Sequence, residues 1–359
     1  MDLRKADFQV ERNTTARMRY LDIARGIAML AIIAGHFGIV SANRVVYTFH
    51  VPLFLLLAGF FFKERESETW YNFILRYFRQ LIIPYLIGCV GICLATGFWF
   101  PVQGLTQEIP GRLIYIAKAA IWGAGTAHVE PIEIHQIGAL WFLPALFIGF
   151  VTLRLGLLLK KPLLVTILAS LFALVSSRFF WLPLSIQPGL FASFFLFLGM
   201  WVRSDHIDLF IKPDIKYVLA AFAIWALCIL FNVSINIVDM SLVYGGVCIL
   251  GALAGSYSII YISRAIELYA PALLGSFLSY FGQITLSILV FHAIADFTIP
   301  WWMFYDLLTG LGLSMRIQHV IILIVHILLP LLCVQLLKYV KPLKRFLIPR
   351  DPVPFASNE

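Results

Sequence analysis

Residues 21–40 read LDIARGIAMLAIIAGHFGIV and decide the fold class, because they have the length and polarity of a membrane-spanning helix. About 20 apolar residues form a helix of about 30 Å, which matches the hydrocarbon core of a bilayer. The run from Val320 to Leu337 has the same character. Of the 359 residues, 61% are hydrophobic and 13% are charged, about half the charged fraction of a soluble domain. The composition excludes a soluble protein and predicts an all-α, polytopic integral membrane protein.

The apolar runs predict about ten transmembrane helices. These helices are expected at residues 20–41, 46–62, 78–100, 138–158, 164–182, 188–203, 216–236, 241–262, 271–297 and 318–340. The segment from Arg112 to Trp122 is too short and too polar for a span, so we expect it to lie at the interface or to re-enter the membrane. The chain then divides into a segment at 1–19, a membrane domain at 20–340 with an outer segment at 100–136, and a tail at 341–359.

The basic residues indicate membrane topology rather than nucleic-acid binding. The net charge is +8, and with the N-terminus inside, 21 of the 27 Lys and Arg residues fall on the inner side. Lys and Arg are retained on the cytoplasmic side of membrane proteins. We therefore expect both termini in the cytoplasm of a multi-pass protein of the bacterial inner membrane, with the bilayer as partner and no nucleic acid. The sequence leaves the oligomeric state open.

Arg25 and His36 are the first candidates for chemistry, because ionisable side chains within a span are costly and mark functional sites. They lie eleven positions apart, about three helical turns plus 20°, so they share one face. The rise between them is about 16 Å, which places Arg25 near the cytoplasmic end and His36 in the outer half of the bilayer. The arginine can anchor an anion, and the neutral histidine can accept a proton as a general base. The alternative for Arg25 is a snorkelling side chain paired with Asp22.

Two further histidines, His50 and His292, fall at a depth similar to that of His36. The three are predicted to form a catalytic cluster, and the alternative is that they are separate hydrogen-bonded residues that pack helices together. A metal site is disfavoured, since Asp296 is the only carboxylate near enough to complete a ligand set. We therefore expect no metal. His326 has no matching neighbour in this pattern and is assigned to packing.

The outer segment contains a polar string that faces the side on which an envelope glycan would lie. Its carboxylates and its last histidine, Glu130, Glu133 and His135, are predicted to bind sugar hydroxyls. Trp141 is predicted to stack on a sugar ring. The alternative for the tryptophans is the aromatic belt at the membrane interface.

Several motifs resemble those of the membrane acyltransferase-3 family, and within it the sugar O-acetylases described as fucose 4-O-acetylase-like. The resemblance rests on Leu21-Asp22-Ile23-Ala24-Arg25-Gly26-Ile27-Ala28, the Arg25 to His36 spacing, Phe49-His50-Val51-Pro52-Leu53-Phe54, Ala58-Gly59-Phe60, Arg79 with Pro84-Tyr85, Leu140-Trp141-Phe142-Leu143 and the stretch from Gly282 to His292. The motifs follow the family's order over nearly the whole chain. Ala58, where the family usually has Ser, and Thr285-Leu286, where it often has Ser-Leu, loosen the subfamily assignment.

This resemblance implies an O-acetyltransferase that moves an acetyl group from cytoplasmic acetyl-CoA, as co-substrate, to a hydroxyl of an envelope glycan or lipid-linked sugar, as in exopolysaccharide biosynthesis. The expected cofactor-binding residues are Asp22, Arg25 and Arg79. Arg25 and Arg79 would hold the phosphates of coenzyme A, and His36 with His50 would activate the acceptor hydroxyl. The alternatives are a transporter or flippase for lipid-linked sugars and a non-catalytic partner in polysaccharide assembly.

Overall fold

The computed structural model describes residues 18–37, 40–65, 67–129, 133–211 and 213–348. The chain is 77% helical, and the described residues contain one small sheet, the antiparallel pair of β1 (Ile235–Asn236) and β2 (Ser241–Leu242). The all-α class expected from the composition is therefore confirmed.

Seventeen α-helices follow one another in the described residues. They are α1 (Arg19–Gly35), α2 (Val40–Val46), α3 (His50–Phe60), α4 (Trp70–Tyr77), α5 (Ile83–Val102), α6 (Ile109–Trp122), α7 (Phe142–Leu158), α8 (Pro162–Ser176), α9 (Ile186–Asp205), α10 (Asp208–Ile211), α11 (Ile215–Leu230), α12 (Val247–Tyr269), α13 (Ala272–Gln283), α14 (Thr285–Thr298), α15 (Trp301–Gly310), α16 (Met315–Leu337) and α17 (Lys341–Leu347). A π-helical turn, Phe78–Ile82, joins α4 to α5.

Six helical segments in the described part of the chain are long and apolar enough to cross a bilayer. They are Ala42–Phe60, Trp70–Val102, Gly138–Leu158, Ile186–Asp205, Val247–Tyr269 and Met315–Leu337. The pair α13 and α14 makes a seventh if it is counted as one bent span. The protein is thus a multi-pass membrane protein, while the count of ten spans and the cytoplasmic placement of the termini stay predictions. The helix α6, which covers Arg112 to Trp122, is not among these segments.

The helix expected over 271–297 is not continuous, because it breaks at Ile284 into a bent pair that makes at most one span. Helix α13 ends at Gln283, α14 begins at Thr285, and the two axes differ by 76°. Ile284 leaves the helical region with φ −102° and ψ 17°, and the Thr285 hydroxyl donates a hydrogen bond to the Gly282 carbonyl at 3.3 Å. A hydroxyl beside the break satisfies one of the carbonyls that the interrupted helix leaves free. The break turns α14 into a separate element with its N-terminus inside the bundle.

Helix α1 packs against α13 at backbone distance. A Cβ atom added at Gly26 would overlap the Leu278 carbonyl, and one added at Gly282 would overlap the Asp22 carbonyl. A second close contact, between α3 and α9, is made in the same way by Gly59. Lipid chains are as apolar as leucine, so membrane helices associate through such close packing rather than through the hydrophobic effect. Gly26 and Gly282 fix the distance between α1 and the bent pair.

Substitution Gly282→Ala is expected to lower the thermal midpoint of the detergent-purified protein, because the added methyl group overlaps the Asp22 carbonyl and forces the helices apart. Overpacking of this kind costs about 1–3 kcal/mol. The matched control is Gly97→Ala in α5, where an added Cβ meets no atom within 4 Å. That change should leave the midpoint unchanged or raise it slightly, since alanine is the better helix former. Equal midpoints for the two variants would contradict the close packing.

Candidate active site

Two helices present polar residues at the same spacing toward one another. On α1, Arg25, Met29 and Ile32 lie on one face, and His36, the C-cap residue, continues it, at spacings of four, seven and eleven residues from Arg25. On α14, Thr285, Leu289, His292 and Asp296 repeat the same spacings. Residues so spaced share one face of a helix. Arg25, Met29 and Ile32 from α1 and Thr285 and Leu289 from α14 line a single cavity, so the two faces oppose one another.

At the far end of these faces, three side chains converge on one point. The Nδ1 atom of His36 lies 3.1 Å from Oδ2 of Asp296 and 3.2 Å from Nε2 of His292. The His292 side chain is fully buried, whereas about a quarter to a third of the His36 and Asp296 side chains remains accessible. Asp296 accepts a hydrogen bond from His36 in the tautomer that carries its proton on Nδ1, which leaves Nε2 of His36 with a free lone pair. A carboxylate placed in this way orients an imidazole as a general base.

His326, which the sequence assigned to packing alone, belongs to this cluster. Its ring centroid lies 5.8 Å from that of His292 and 4.8 Å from that of Phe37, and the ring stacks on Trp301 at 3.8 Å. Nδ1 of His326 and Nε1 of Trp301 are both buried without a hydrogen-bond partner among the described residues. The third histidine beside His36 and His292 is therefore His326.

His50, the third histidine expected in the cluster, lies within electrostatic range of His36 but makes no hydrogen bond to it among the described residues. Its Nδ1–H donates to the Val46 carbonyl at 2.6 Å, and its ring packs edge-on against Tyr47 at 5.1 Å. It is buried at the start of α3 and shares no ring contact with His36, His292 or His326 among the described residues. These contacts are those of a packing histidine, and a catalytic role for His50 stays a prediction.

An apolar cavity of about 180 Å³ lies between the two facing helices and leads toward the cluster. It begins at Arg25 and Thr285 and reaches Ile32 and Leu289, one helical turn before His36 and His292. Side chains of α3 and α7 close its other sides. Among its described lining residues only Arg25 and Thr285 are polar, so the cavity suits an uncharged chain.

At its Arg25 end the apolar cavity meets a second, basic cavity of about 350 Å³. Both are lined by Arg25, Ala58 and Leu81, so the two cavities adjoin one another. Four cationic side chains line the basic cavity, and none of the described lining residues is acidic; the cations are Arg25, Lys63, Arg65 and Arg76. Such a cavity is complementary to an anion with several charges.

Carboxylates behind the basic cavity hold two of its cations in position. Glu68 accepts hydrogen bonds from Arg76 at 2.8 and 2.6 Å, and Arg65 lies 3.9 Å from it. The hydrogen bonds from Arg76 hold the pKa of Glu68 below its ordinary value of 4.5, so the carboxylate is charged at neutral pH. Arg25 is placed by Asp22, at 3.8 Å, and by the ring of Phe61, at 4.5 Å from its guanidinium carbon. Arg25 can thus pair with Asp22, as the snorkelling alternative requires, and also line the cavity.

The residues predicted to bind the cofactor are brought together only in part. Arg25 lines both cavities and Asp22 pairs with it. Arg79 is exposed in the π-helical turn and is absent from the described lining of either cavity. Lys63, Arg65 and Arg76 were not singled out by the sequence as ligands, although their place in the basic stretch after α3 was a usable signal.

The outer segment packs over the end of α14 next to Asp296. Arg112 of α6 lies over the rings of Tyr115 and Phe297, 4.6 Å from each centroid, and Tyr115 stacks on His135 at 4.0 Å. His135 is in turn 3.6 Å from the exposed Glu133. Because Phe297 directly follows Asp296, His135 is linked to the cluster through two ring contacts. This part of the outer segment borders the side of the cluster opposite the cavities.

Two other residues predicted to bind substrate are not placed at this border. Trp141 is buried, with 8% of its surface accessible, and packs against Phe142 with ring centroids 6.0 Å apart. Its ring is therefore not available as a stacking platform in this conformation. Glu130 lies outside the described residues.

Asp296, the hydrogen-bond partner of His36 in this candidate site, was considered in the sequence only as a possible metal ligand. It stands four residues after His292 in Gly282 to Asp296, so the helical period alone places both on one face. His326 had a comparable signal, because it lies in the outer half of the last predicted span, as His36 does in the first predicted span.

The helices place an oriented base at one end of a cavity and a cation cluster at the other. This arrangement is that of a multi-pass membrane protein suited to group transfer from an anionic donor. The family model named acyltransferase 3, an acyltransferase domain, matches residues 18–335. The chain belongs to this family. Among curated proteins and solved structures, none matches the chain.

Thiol labelling is expected to show that the two cavities connect to water and are electropositive. In a background with the five natural cysteines replaced by alanine, Ala58→Cys should react with an anionic, membrane-impermeant methanethiosulfonate faster than with its cationic analogue. The difference should shrink at high salt, because salt screens the cations. The control is Gly97→Cys, which is exposed on α5 and lies within the span predicted at 78–100. We expect lipid to cover it, so it should react with neither reagent. Equal rates for the two reagents at Ala58→Cys would contradict the basic cavity.

Proposed function

We propose that the protein is a membrane O-acyltransferase that moves an acetyl group from cytoplasmic acetyl-CoA to a hydroxyl of an envelope glycan or lipid-linked sugar. Membership of the acyltransferase-3 family supports the reaction class. The observation that carries the proposal is the alignment of the four-cation cavity, the apolar cavity and the His36–Asp296 pair along α1 and α14.

Acetyl-CoA matches the sequence of environments along this path. Its phosphates carry several negative charges, which Arg25, Lys63, Arg65 and Arg76 can bind by charge-assisted hydrogen bonds. Its pantetheine arm is thin and uncharged, and the apolar cavity is a suitable place for it. The rise of about 16 Å from Arg25 to His36 then directs the thioester toward the base. With Lys and Arg on the cytoplasmic side, the donor enters from the cytoplasm.

The chemistry follows from the free Nε2 lone pair of His36. The acceptor hydroxyl gives its proton to Nε2 while its oxygen attacks the thioester carbonyl carbon. The carbon–sulfur bond breaks, the acetyl group stays on the acceptor oxygen, and the imidazolium returns its proton to the departing thiolate. Asp296 stabilises the imidazolium through its hydrogen bond with Nδ1. Met29, Ile32 and Leu289 keep water from the thioester before the acceptor arrives.

The acceptor is proposed to enter from the opposite, periplasmic side of the bacterial inner membrane. The outer segment borders the cluster there through Arg112 and Phe297, and Glu133 and His135 lie at the same border. Carboxylate and imidazole groups can hydrogen-bond sugar hydroxyls. This border is the proposed selector of the acceptor.

Substitution His36→Ala should abolish acetyl transfer in membranes at matched expression. A positioned general base contributes about 10²–10⁴-fold to a rate, so a loss of at least 100-fold is expected. The measurement is transfer of label from radioactive acetyl-CoA to envelope glycan and lipid fractions. His319→Ala, a histidine on the same helix as His326 but outside the cluster, is the control and should keep full activity. Lack of label transfer by the natural protein would favour a transporter or assembly partner, and full activity of His36→Ala would exclude this base.

Substitution Arg25→Ala should raise the KM for acetyl-CoA at least 10-fold with a smaller effect on kcat. Loss of a charge-assisted hydrogen bond to phosphate removes about 1.5–3 kcal/mol of donor binding. A donor that lacks the 3′-phosphate tests which phosphate Arg25 binds. If Arg25 binds the 3′-phosphate, the KM for this donor should be the same in the natural protein and in Arg25→Ala. Lys161→Ala, an exposed cation at the start of α8 and outside the described lining of the cavities, is the control. A similar KM for the Arg25 and Lys161 variants would remove Arg25 from the donor site.

A further inference from the structure

The contacts of His36 cannot all be satisfied by one proton. If Nδ1 of His36 carries the proton, it donates to Asp296, and Nε2 of His292 must share that same proton as a second acceptor. If Nδ1 carries no proton, it accepts a hydrogen bond from Nε2–H of His292. Its lone pair then faces a lone pair of the Asp296 carboxylate, and the two repel one another. With neutral rings and an ionised carboxylate, no tautomer gives both contacts a two-centre hydrogen bond. Three atoms with lone pairs thus converge on one point. A single proton there can form a good hydrogen bond between only two of them.

The spacing of these atoms fits a cation at that point. His36 Nδ1, His292 Nε2 and the Asp296 carboxylate lie within 4.8 Å of one another, with contacts of 3.1 and 3.2 Å. For a tetrahedral zinc ion with bonds of about 2.0–2.1 Å, two ligand atoms lie about 3.3 Å apart. Two histidines and one carboxylate also form the ligand set of zinc sites that keep their fourth position open.

We propose that His36, His292 and Asp296 bind a divalent transition-metal ion of the zinc class. The ion gives each of the three atoms a partner at once, and its fourth position faces the accessible side of His36 and Asp296. Two ligands stand on one turn of α14 and the third ends α1, so the site is held by the same close packing that aligns these helices. This assignment departs from the sequence expectation of no metal, because the sequence alone did not place Asp296 beside both histidines.

Metal binding would inhibit the proposed acetyl transfer. This part of the inference rests on the proposed function. An ion on Nδ1 of His36 forces the remaining proton onto Nε2, so that atom can no longer accept a proton from a hydroxyl. The ion also takes the carboxylate that orients the ring. Zinc should therefore inhibit acetyl transfer reversibly, by competing with a proton rather than with acetyl-CoA.

Binding is tested on the full-length protein purified in detergent through a tag without histidine. After treatment with chelator, Co²⁺ is titrated while the visible d–d absorption of a four- or five-coordinate ion is followed, and bound Zn²⁺ is counted by mass spectrometry. The natural protein should bind about one ion. Asp296→Asn, which keeps the shape of the side chain, and His36→Gln should each weaken binding at least 10-fold. His319→Gln should bind as the natural protein does.

Thermal midpoints of the metal-free variants, compared with that of the natural protein, show whether each variant is folded. Failure of the natural protein to bind a stoichiometric ion would overturn the metal site, as would natural affinity in both Asp296→Asn and His36→Gln. These readouts need no acetyl transfer, so the metal site can stand even if the proposed function fails. Where transfer is measurable, Zn²⁺ at saturating occupancy should reduce it at least 10-fold and a chelator should restore it. Unchanged transfer in the zinc-loaded protein would overturn the inhibitory role.

Discussion

The contact of α1 with the bent pair α13 and α14 sets the position of every group proposed to take part in catalysis. Gly26 and Gly282 let the two backbones touch, and no side chain other than hydrogen fits at either position without displacing a carbonyl. Helix α1 carries His36, and α14 carries its partner Asp296 at 3.1 Å. A displacement by the width of a methyl group would take that pair beyond hydrogen-bonding distance. In a bilayer, where apolar surface gains little from helix association, this steric fit replaces the hydrophobic effect as the determinant of geometry.

The charges at the basic end illustrate a second constraint. Cations near a membrane core are stable only with partners, yet a site that binds an anion needs cations that are not neutralised. The structure meets both requirements by placing Glu68 behind Arg76 and Asp22 behind Arg25, while the described lining of the cavity itself contains no carboxylate. The carboxylates thus restrict the motion of the guanidinium groups and leave the cavity electropositive. Rigid, preoriented charges of this kind bind and stabilise anions without the cost of reorganising the site.

Features set by one helix could be predicted from the sequence, and features set by packing between helices could not. The helical period placed Arg25 and His36 on one face, and depth in the membrane correctly joined His292 to His36. Depth does not give the direction around a helix axis, so it could not choose between His50, which turns back to its own Val46 carbonyl, and His326. The break at Ile284 was missed because hydropathy stays high through it, and a bent pair has the same composition as one long span. The burial of Trp141 escaped prediction because interface and core tryptophans look alike in sequence.

Equal spacing on the two facing helices sets the distance between the basic end of the site and the His36–Asp296 pair. From Arg25 to His36 and from Thr285 to Asp296 the chain advances eleven residues, so both helices span the same depth of about 16 Å. A cavity between two such helices has a fixed length, and its 180 Å³ ends at Ile32 and Leu289, one turn before the histidines. A donor arm that fills this volume would bring its thioester to the histidines. The common helical rise, rather than any specific polar contact along the cavity, is thus what the proposal uses to bring the transferred group to His36.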